Sequence, residues 1–353
     1  MTGKLEGKVA LVAGATRGAG RGIAMSLGEA GTTVWCTGRS TRADAQRKAA
    51  LRENPFELAR RPETIEETAE LVSARGGRGI AVRVDHTDET QVKDLIDKIE
   101  KADGRLDILV NDIWGGDELA ETAPFWDLMP GKGYAMVDTV LRTHINTTRF
   151  ALPLMLKHHA GLVVEITDGN FLGYRGTVFY DLAKIIPIRL TLALTADLTM
   201  RGERGIAAVT LTPGFLRSEA VLEYFGVTEQ NWRDAIAKDP YFAESETPCY
   251  VGRAVAALAA DPNVGEKSGR LFASWEMAKE YGFSDIDGRQ PDWATFFDKK
   301  IAEIIARGGP SGVEERALIF ARYFQLALDP AKRDWANRMA TSLGLPSSDA
   351  PLG

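Results

Sequence analysis

The feature that most constrains the fold is a set of three glycines directly after a short apolar stretch. Val9–Ala13 is continuously apolar, and a helical pattern follows near residues 20–30. The glycines between them are Gly14, Gly18 and Gly20. Glycines at this spacing let the backbone turn tightly and approach a pyrophosphate, which the N-terminus of the next helix binds through its N–H groups and positive dipole. The strand–turn–helix context therefore predicts a dinucleotide-binding unit.

Apolar strand-like runs alternate with helical patterns along the chain. The predicted strands are Val9–Ala13, Thr33–Thr37, Ile80–Val84, Leu106–Val110, Leu162–Ile166, Ile206–Leu211 and Arg270–Ala273. The predicted helices lie near residues 20–30, 62–75, 88–101, 134–158, 178–201 and 248–260. This alternation is typical of βαβ units. Strands without polar alternation indicate a sheet that is covered on both faces. We expect an α/β fold, a Rossmann-type doubly wound parallel sheet of about seven strands with helices on both faces.

The length of 353 residues exceeds what this pattern needs. We predict a dinucleotide-binding and catalytic domain over residues 1–290, with insertions at 40–61 and 113–133, and a helical C-terminal extension over 291–353. Ligands of open α/β sheets bind beyond the carboxyl ends of the strands, so the second insertion either lines a pocket or is a surface loop. The extension carries helical patterns at Val313–Leu328 and Pro330–Ser342, and we expect it to serve packing or an oligomer contact.

Composition narrows the class of protein. A net charge of -6 argues against a general nucleic-acid binder and against binding to anionic membranes. The two cysteines, Cys36 and Cys249, are far apart, and none of the four histidines has a metal-ligand spacing, so we expect neither a disulfide framework nor a metal. Residues 1–8 lack the apolar core that a signal sequence requires, and no apolar run approaches the roughly 20 residues of a spanning helix. We expect a cytoplasmic protein without membrane insertion.

The end of the second predicted strand bears on the choice of cofactor. NAD-specific sites usually place an acidic residue there to hold the ribose hydroxyls. This chain has Thr37, Gly38 and Arg39 instead, with Arg17 in the glycine turn and Arg42 nearby. Guanidinium groups suit a 2′-phosphate through charge-assisted bidentate hydrogen bonds, so NADP(H) is preferred to NAD(H), unless these arginines are merely solvated.

Polar residues also follow the third and fourth strands. Asp85 follows the third strand and Asn111 ends the fourth, so both are expected at the carboxyl edge of the sheet on the adenosine side. There, a carboxylate and an amide could face the adenine. Each is equally explained as a helix cap or turn residue.

Tyr180 and Lys184 form a candidate acid–base pair. They lie four residues apart at the start of a helical pattern, so their side chains share one face. A lysine ammonium near a phenol lowers the phenol pKa from about 10 toward neutrality. Such a pair can exchange a proton with a carbonyl or alcohol oxygen while a hydride moves.

In this order, the motifs resemble those of the short-chain dehydrogenase/reductase family. The resemblance covers about residues 5–290 and includes a segment after the sixth strand, Thr212–Ser218. The resemblance implies that this segment holds the nicotinamide side of the cofactor and that the protein is a homodimer or homotetramer. The candidate cofactor-binding residues are Gly14, Thr16, Arg17, Gly18, Gly20, Arg39, Asp85, Asn111, Tyr180, Lys184, Pro213, Gly214 and Ser218. Gly104–Asp107, Phe125-Trp126 and Ala278–Arg289 are most similar to the member-1 branch of the family.

The chain departs from the family pattern at the end of the fifth strand. Members place a serine there to donate a hydrogen bond to the substrate oxygen, and Asp168 occupies that position here. An ionised carboxylate only accepts hydrogen bonds. Three explanations are open. Thr167 donates the hydrogen bond in place of the serine, or Asp168 is protonated and donates it, or the substrate group is itself a donor such as an alcohol or amine. The catalytic candidates are Tyr180, Lys184, Thr167 and Asp168.

A second departure lies in the preceding long helix. The family's asparagine, which completes a proton relay through water, has no clean counterpart, although Asp138 falls near its position. His144 on the same helix is either a relay residue or a core histidine. In addition, Asn111-Asp112-Ile113-Trp114 replaces the usual Asn-Asn-Ala-Gly run.

These observations favour an NADP(H)-dependent oxidoreductase that acts on a carbonyl or alcohol. Trp114, Phe125, Trp126 and Tyr174 could supply apolar pocket walls, so we expect a small, partly hydrophobic substrate. The alternative is an NADP(H)-binding regulator with little or no turnover, because the family serine is replaced. Isomerase or dehydratase chemistry on this fold is a third hypothesis.

Overall fold

The computed structural model describes residues 3–48, 54–121, 123–169, 176–327 and 333–345. Within these residues, seven strands form one sheet in the order β3-β2-β1-β4-β5-β6-β7, and each neighbouring pair is parallel. The strands are β1 (Val9–Ala13), β2 (Thr33–Gly38), β3 (Arg78–Arg83), β4 (Ile108–Asn111), β5 (Gly161–Ile166), β6 (Ile206–Thr212) and β7 (Leu271–Ala273). The strand order reverses between β1 and β4, which places a crevice at their carboxyl ends. This confirms the Rossmann-type prediction.

Twelve α-helices occur in the described part of the chain. They are α1 (Gly18–Glu29), α2 (Arg42–Lys48), α3 (Ile65–Ala74), α4 (Glu89–Asp103), α5 (Pro130–Leu156), α6 (Val178–Met200), α7 (Glu219–Phe225), α8 (Pro248–Ala260), α9 (Ser274–Tyr281), α10 (Trp293–Ala306), α11 (Val313–Ala327) and α12 (Arg333–Leu343). Local sequence sets several of their ends. Asp88 caps α4 by accepting from the Thr90 and Gln91 N–H groups, and left-handed Gly104 ends the helix.

Alternate residues of the central strands feed two apolar layers. Ala10 and Val12 of β1 pack on the face covered by α1 and α8, whereas Leu11 packs on the face covered by α4 and α5. Every residue of β1 and β4 is buried. Because both faces are covered, functional side chains can reach solvent only at the ends of these strands.

The C-terminal helices add a small core of their own. Ile301 of α10, Ile319 of α11 and Met339 of α12 are buried together. Trp293, at the start of α10, packs against Phe215 in the segment after β6, with ring centroids 5.7 Å apart. The extension therefore contacts the segment that the sequence assigns to the nicotinamide side.

Several elements differ from the sequence prediction. The helices α2, α7, α9 and α10 were not predicted. The insertion after β4 contains short 3-10 turns at Asp117–Leu119 and Phe125–Asp127. No helix among the described residues has the length and apolar character needed to cross a membrane.

Candidate active site

The four catalytic candidates form two hydrogen-bonded pairs at the carboxyl end of β5. The Tyr180 hydroxyl on the first turn of α6 donates a hydrogen bond of 2.6 Å to Asp168 Oδ2. Thr167 is buried, and its hydroxyl donates to the Lys184 main-chain oxygen at 2.5 Å. Of the two residues considered for the serine position, Asp168 therefore faces the phenol, and Thr167 ties the end of β5 to α6.

The insertion after β4 reaches this group through Trp114. The Lys184 ammonium lies over the Trp114 ring, 3.6 Å from a ring centroid, and 5.3 Å from the centroid of the Tyr180 ring. The Trp114 and Tyr180 rings meet edge to face, with centroids 5.6 Å apart. A cation this close to an indole face is in an attractive geometry, so Trp114 helps to place Lys184 beside Tyr180.

The other predicted pocket walls are placed differently. Phe125 and Trp126 are 70% and 81% exposed, because their 3-10 turn lies on the surface. Tyr174 lies outside the described residues. Trp114 is thus the predicted wall that the structure puts beside Tyr180.

The glycine turn has the backbone geometry that its sequence predicts. Gly14 has φ +93° and Gly18 has φ +55°, in the left-handed region that favours glycine. A Cβ on Gly14 would clash with the Asp112 main-chain oxygen, and one on Gly20 with the Gly14 oxygen. Thr16, inside the turn, is buried. The turn opens α1 at Gly18, so it forms a cradle with helical N–H groups at its edge, which fits a dinucleotide pyrophosphate.

A carboxylate already occupies part of this N-terminus. The Gly18 N–H donates to Glu219 Oε2 at 2.9 Å. The other oxygen of Glu219 lies 3.8 Å from Arg21 Nε. The site therefore attracts an anion in this structure.

The arginines at the adenosine side differ in their surroundings. Arg39, at the end of β2, is exposed. Arg17 donates to Ser40 Oγ at 3.2 Å and to Glu63 Oε2 at 3.3 Å, and burial lowers the pKa of Arg17 although Glu63 opposes that shift. Glu63 is also bound by Arg61 at 2.7 Å. Arg17 is thus held in an ion-pair network, not merely solvated.

Asp85 and Asn111 both make local or inward contacts. The Asp85 carboxylate accepts from the N–H and the hydroxyl of Thr87, which is the turn alternative. Burial tends to raise the pKa of Asp85, but these hydrogen bonds outweigh it and lower the pKa. Asn111 is fully buried, and its amide donates to Thr148 Oγ1 at 2.9 Å and to Glu165 Oε1 at 2.7 Å.

Residues of the predicted nicotinamide side lie across the crevice. Ser218 caps α7, and its Cβ lies 3.9 Å from where a Cβ of Gly18 would be. The Gly214 N–H donates to Glu246 Oε2 at 2.9 Å, and burial raises the pKa of Glu246 to about 8. Pro213 accepts at its main-chain oxygen from the Thr212 hydroxyl. The segment after β6 therefore adjoins the glycine turn through Ser218.

Comparison with known proteins settles the family. The model of the family described as short chain dehydrogenase matches residues 54–225. Dehydrogenase/reductase SDR family member 1 of Mus musculus is 32% identical over 296 residues, covering 82% of this chain and 86% of the mouse protein. The chain belongs to the short-chain dehydrogenase/reductase family. The Homo sapiens protein of the same name is 30% identical over the same shares of the two chains.

Solved structures agree on the fold of this dehydrogenase/reductase. A short chain dehydrogenase from Mycobacterium paratuberculosis bound to NAD gives a TM-score of 0.58 at 20% identity, covering 77% of this chain and 97% of that chain. A Xanthomonas campestris protein gives 0.63 at 23% identity, covering 83% and 96%. As a family member, the protein is an oxidoreductase that binds a nicotinamide cofactor and acts on a small molecule.

Two contacts of this dehydrogenase/reductase were not foreseen from sequence. His144 Nδ1 lies 2.5 Å from Glu165 Oε2, and both side chains are 2% exposed. The second contact is the one between Gly18 and Glu219. Asp138, which falls near the position of the family asparagine in the sequence, is exposed and paired with Arg142 at 2.7 Å. An ion pair one helical turn apart satisfies Asp138 at the surface.

Proposed function

We propose that this protein transfers a hydride between NADP(H) and a carbonyl or alcohol carbon of a small, partly hydrophobic substrate, with Tyr180 as acid–base. The observation that carries the proposal is the contact of the Tyr180 hydroxyl with Asp168, beside Lys184 and at the same sheet edge as the glycine turn. Trp114 supplies an apolar surface next to the Tyr180 ring. This combination supports proton exchange at a substrate oxygen.

The bound nicotinamide would supply or accept the hydride. Tyr180 would donate its proton to the carbonyl oxygen during reduction and take it back during oxidation. Lys184 would favour the phenolate that this cycle requires, because its positive charge lies near the ring. Asp168 would hold the phenolic proton between turnovers, since its oxygen accepts that hydrogen bond.

The preference for NADP(H) is part of the proposal. It is supported by the exposed Arg39 at the end of β2 and by Arg17 and Ser40 beside it. A 2′-phosphate would compete with Glu63 for Arg17 and would offer Arg39 a partner. The family assignment covers either nicotinamide cofactor.

We also propose assembly as a homodimer or homotetramer. Exposed apolar side chains on α5 and α6 support it, because monomers rarely leave such residues grouped on adjacent helices. They are Leu141, Ile145, Leu182 and Leu192.

One assay tests the proposed reaction. The protein is mixed with NADPH, or with NADH, and a panel of ketones, quinones and aldehydes, and loss of the reduced nicotinamide absorbance is followed. NADP with a panel of alcohols tests the reverse direction. The control variant Tyr180→Phe removes only the hydroxyl, and we expect turnover to fall about 10²- to 10⁴-fold while NADPH binding changes little.

Three results would contradict the proposal. Tight NADPH binding without turnover on either panel favours the regulator, and product formation without net oxidation favours an isomerase or dehydratase. Unchanged turnover in Tyr180→Phe would remove Tyr180 from the reaction.

A further inference from the structure

A buried polar cluster lies directly beneath the segment that carries Trp114. Its centre is the contact of 2.5 Å between His144 Nδ1 on α5 and Glu165 Oε2 on β5. Asn111 donates to the other oxygen of Glu165 at 2.7 Å, and the Thr148 hydroxyl lies 3.4 Å from that oxygen. Both oxygens of Glu165 therefore have hydrogen-bond partners inside the protein.

The second ring nitrogen of His144 links this cluster to the site. His144 Nε2 lies 3.3 Å from the main-chain oxygen of Ile113. A carbonyl oxygen only accepts, so Nε2 carries a proton and donates it. Ile113 precedes Trp114, whose ring lies 3.6 Å below the Lys184 ammonium and edge-on to Tyr180. Contacts thus run without a gap from Glu165 to the acid–base pair.

Fold stability alone is a poor reason for such a pair. Desolvating a carboxylate and an imidazole costs about as much as their attraction returns, and an apolar pair of similar volume is often at least as stable. A fully hydrogen-bonded buried network does, however, fix one geometry of the groups that it touches. Here, the group that it touches is the turn between β4 and Trp114.

We propose that His144 and Glu165 are positioning residues for the reaction: they fix the Ile113 carbonyl and thereby set the place of Trp114 against Lys184. This inference rests on the proposed function for its effect on turnover. Neither residue contacts the Tyr180 hydroxyl, so both act through the backbone. The imidazole holds the Ile113 carbonyl, and Glu165 orients the imidazole, so a side chain that donates to Ile113 without an imidazole no longer needs Glu165.

A matched pair of substitutions at His144 separates the two contacts. The side-chain nitrogen of glutamine is at the same ε position as Nε2, so His144→Gln can still donate to Ile113 but loses Glu165. The nitrogen of asparagine is at the δ position, so His144→Asn can still donate to Glu165 but loses Ile113. Urea unfolding of both variants measures the cost to stability.

The two variants are expected to differ in turnover rather than in substrate KM. His144→Asn should lower kcat about 10- to 100-fold, as a misplaced catalytic group does, whereas His144→Gln should stay within about threefold of the wild type. If both variants lose kcat in parallel with their stability, or if neither loses it, the inference is overturned.

A spectroscopic readout needs no turnover. Subtracting the tryptophan emission of Trp114→Phe from that of the wild type isolates the Trp114 signal. The same subtraction is made with His144→Asn and with His144→Gln, each with and without the Trp114→Phe substitution. We expect the Trp114 emission to shift in His144→Asn and to stay unchanged in His144→Gln. If it is the same in all three backgrounds, the inference fails whatever the activity. A shift confined to His144→Asn in a protein without turnover would leave the inference standing while the proposed function fails.

Discussion

At the scale of single residues, the charge of Asp168 acts directly on Tyr180. The carboxylate accepts the phenolic hydrogen bond at 2.6 Å, so it stabilises the protonated phenol. Lys184 acts in the opposite direction through its ammonium. An ionised Asp168 would repel an oxyanion that develops on a carbonyl, but it would accept a hydrogen bond from an alcohol or amine. In the proposed function, an ionised Asp168 would thus favour a substrate that carries a donor.

Substituting Asp168 tests this balance. In Asp168→Ser, we expect kcat/KM to rise about tenfold for carbonyl reduction and for alcohol oxidation alike, because about 1.4 kcal/mol of unfavourable charge interaction is removed from the transition state that both directions share and a donor is added. The isosteric variant Asp168→Asn removes the charge alone. Initial rates in both directions are measured from pH 6 to 10, and in both variants the rise in alcohol oxidation should move to lower pH. Identical kcat/KM values and pH profiles in all three proteins would show that Asp168 does not act on Tyr180.

At the scale of elements, α7 covers the N-terminus of α1. Glu219 accepts from the Gly18 N–H, and Glu223, one turn later, pairs with Arg61 at 3.1 Å. The Phe56 and Tyr224 rings lie 5.4 Å apart, so α7 also contacts the insertion after β2. The Glu219 carboxylate is an anion at the N-terminus of α1, which is where an anionic pyrophosphate oxygen would also bind. Since one N–H cannot serve both fully, a pyrophosphate that binds the Gly18 N–H would have to displace Glu219.

We therefore expect Glu219→Gln to bind NADPH more tightly. A charge at a helix N-terminus contributes about 0.3–1 kcal/mol, which corresponds to about a 2- to 5-fold lower Kd when the competing charge is removed. Glu223→Gln is the control, because it lies on the same helix but pairs with Arg61. Isothermal titration with NADPH measures both. Weaker binding in Glu219→Gln, or equal effects of the two substitutions, would show that Glu219 does not compete with the cofactor.

At the scale of the whole molecule, the sheet was predictable and several helices were not. Val9–Ala13 is apolar throughout and Ile206–Leu211 is apolar except for Thr210, and a strand covered on both faces leaves that signature in its own sequence. By contrast, Glu219–Phe225 is only seven residues long, too short for helical periodicity to stand out. Tertiary contacts of α7 with α1 and with the insertion after β2 hold it in place.

The same distinction applies to the candidate site. Gly14, Tyr180 and Lys184 were found because each belongs to a motif of neighbouring residues. The Gly18–Glu219 hydrogen bond joins residues that lie 201 positions apart, so no local sequence pattern predicts it. Asn111 was placed correctly at a strand end, but the direction of its side chain depends on Glu165 of the next strand. The place of a residue in a strand or turn follows from local sequence, whereas the direction of its side chain follows from packing.

Asp112 links the site to the stability of the whole fold. Burial raises the pKa of Asp112 from 3.8 to about 7, and attraction to Lys184 and a hydrogen bond from the Gly20 N–H offset only part of that rise. Between about pH 4 and 7, the Asp112 carboxyl is therefore protonated in the folded protein but ionised in the unfolded chain. Stability falls as pH rises through this window, by up to about 1.4 kcal/mol per pH unit from this group.

The substitution Asp112→Asn isolates this contribution, because asparagine stays neutral and still accepts from the Gly20 N–H. The variant should gain free energy of unfolding over the wild type as pH rises from 4 to 7, and the gain should level off at higher pH, where wild-type Asp112 is charged in both states. Urea unfolding at each pH unit measures the difference. Asp138→Asn, which breaks only an exposed pair with Arg142, should instead differ from the wild type by a small amount that stays nearly constant over the same range. A gain from Asp112→Asn that is equally flat would mean that this carboxyl is charged throughout, and Asp112 would then add a fixed negative charge beside the glycine turn.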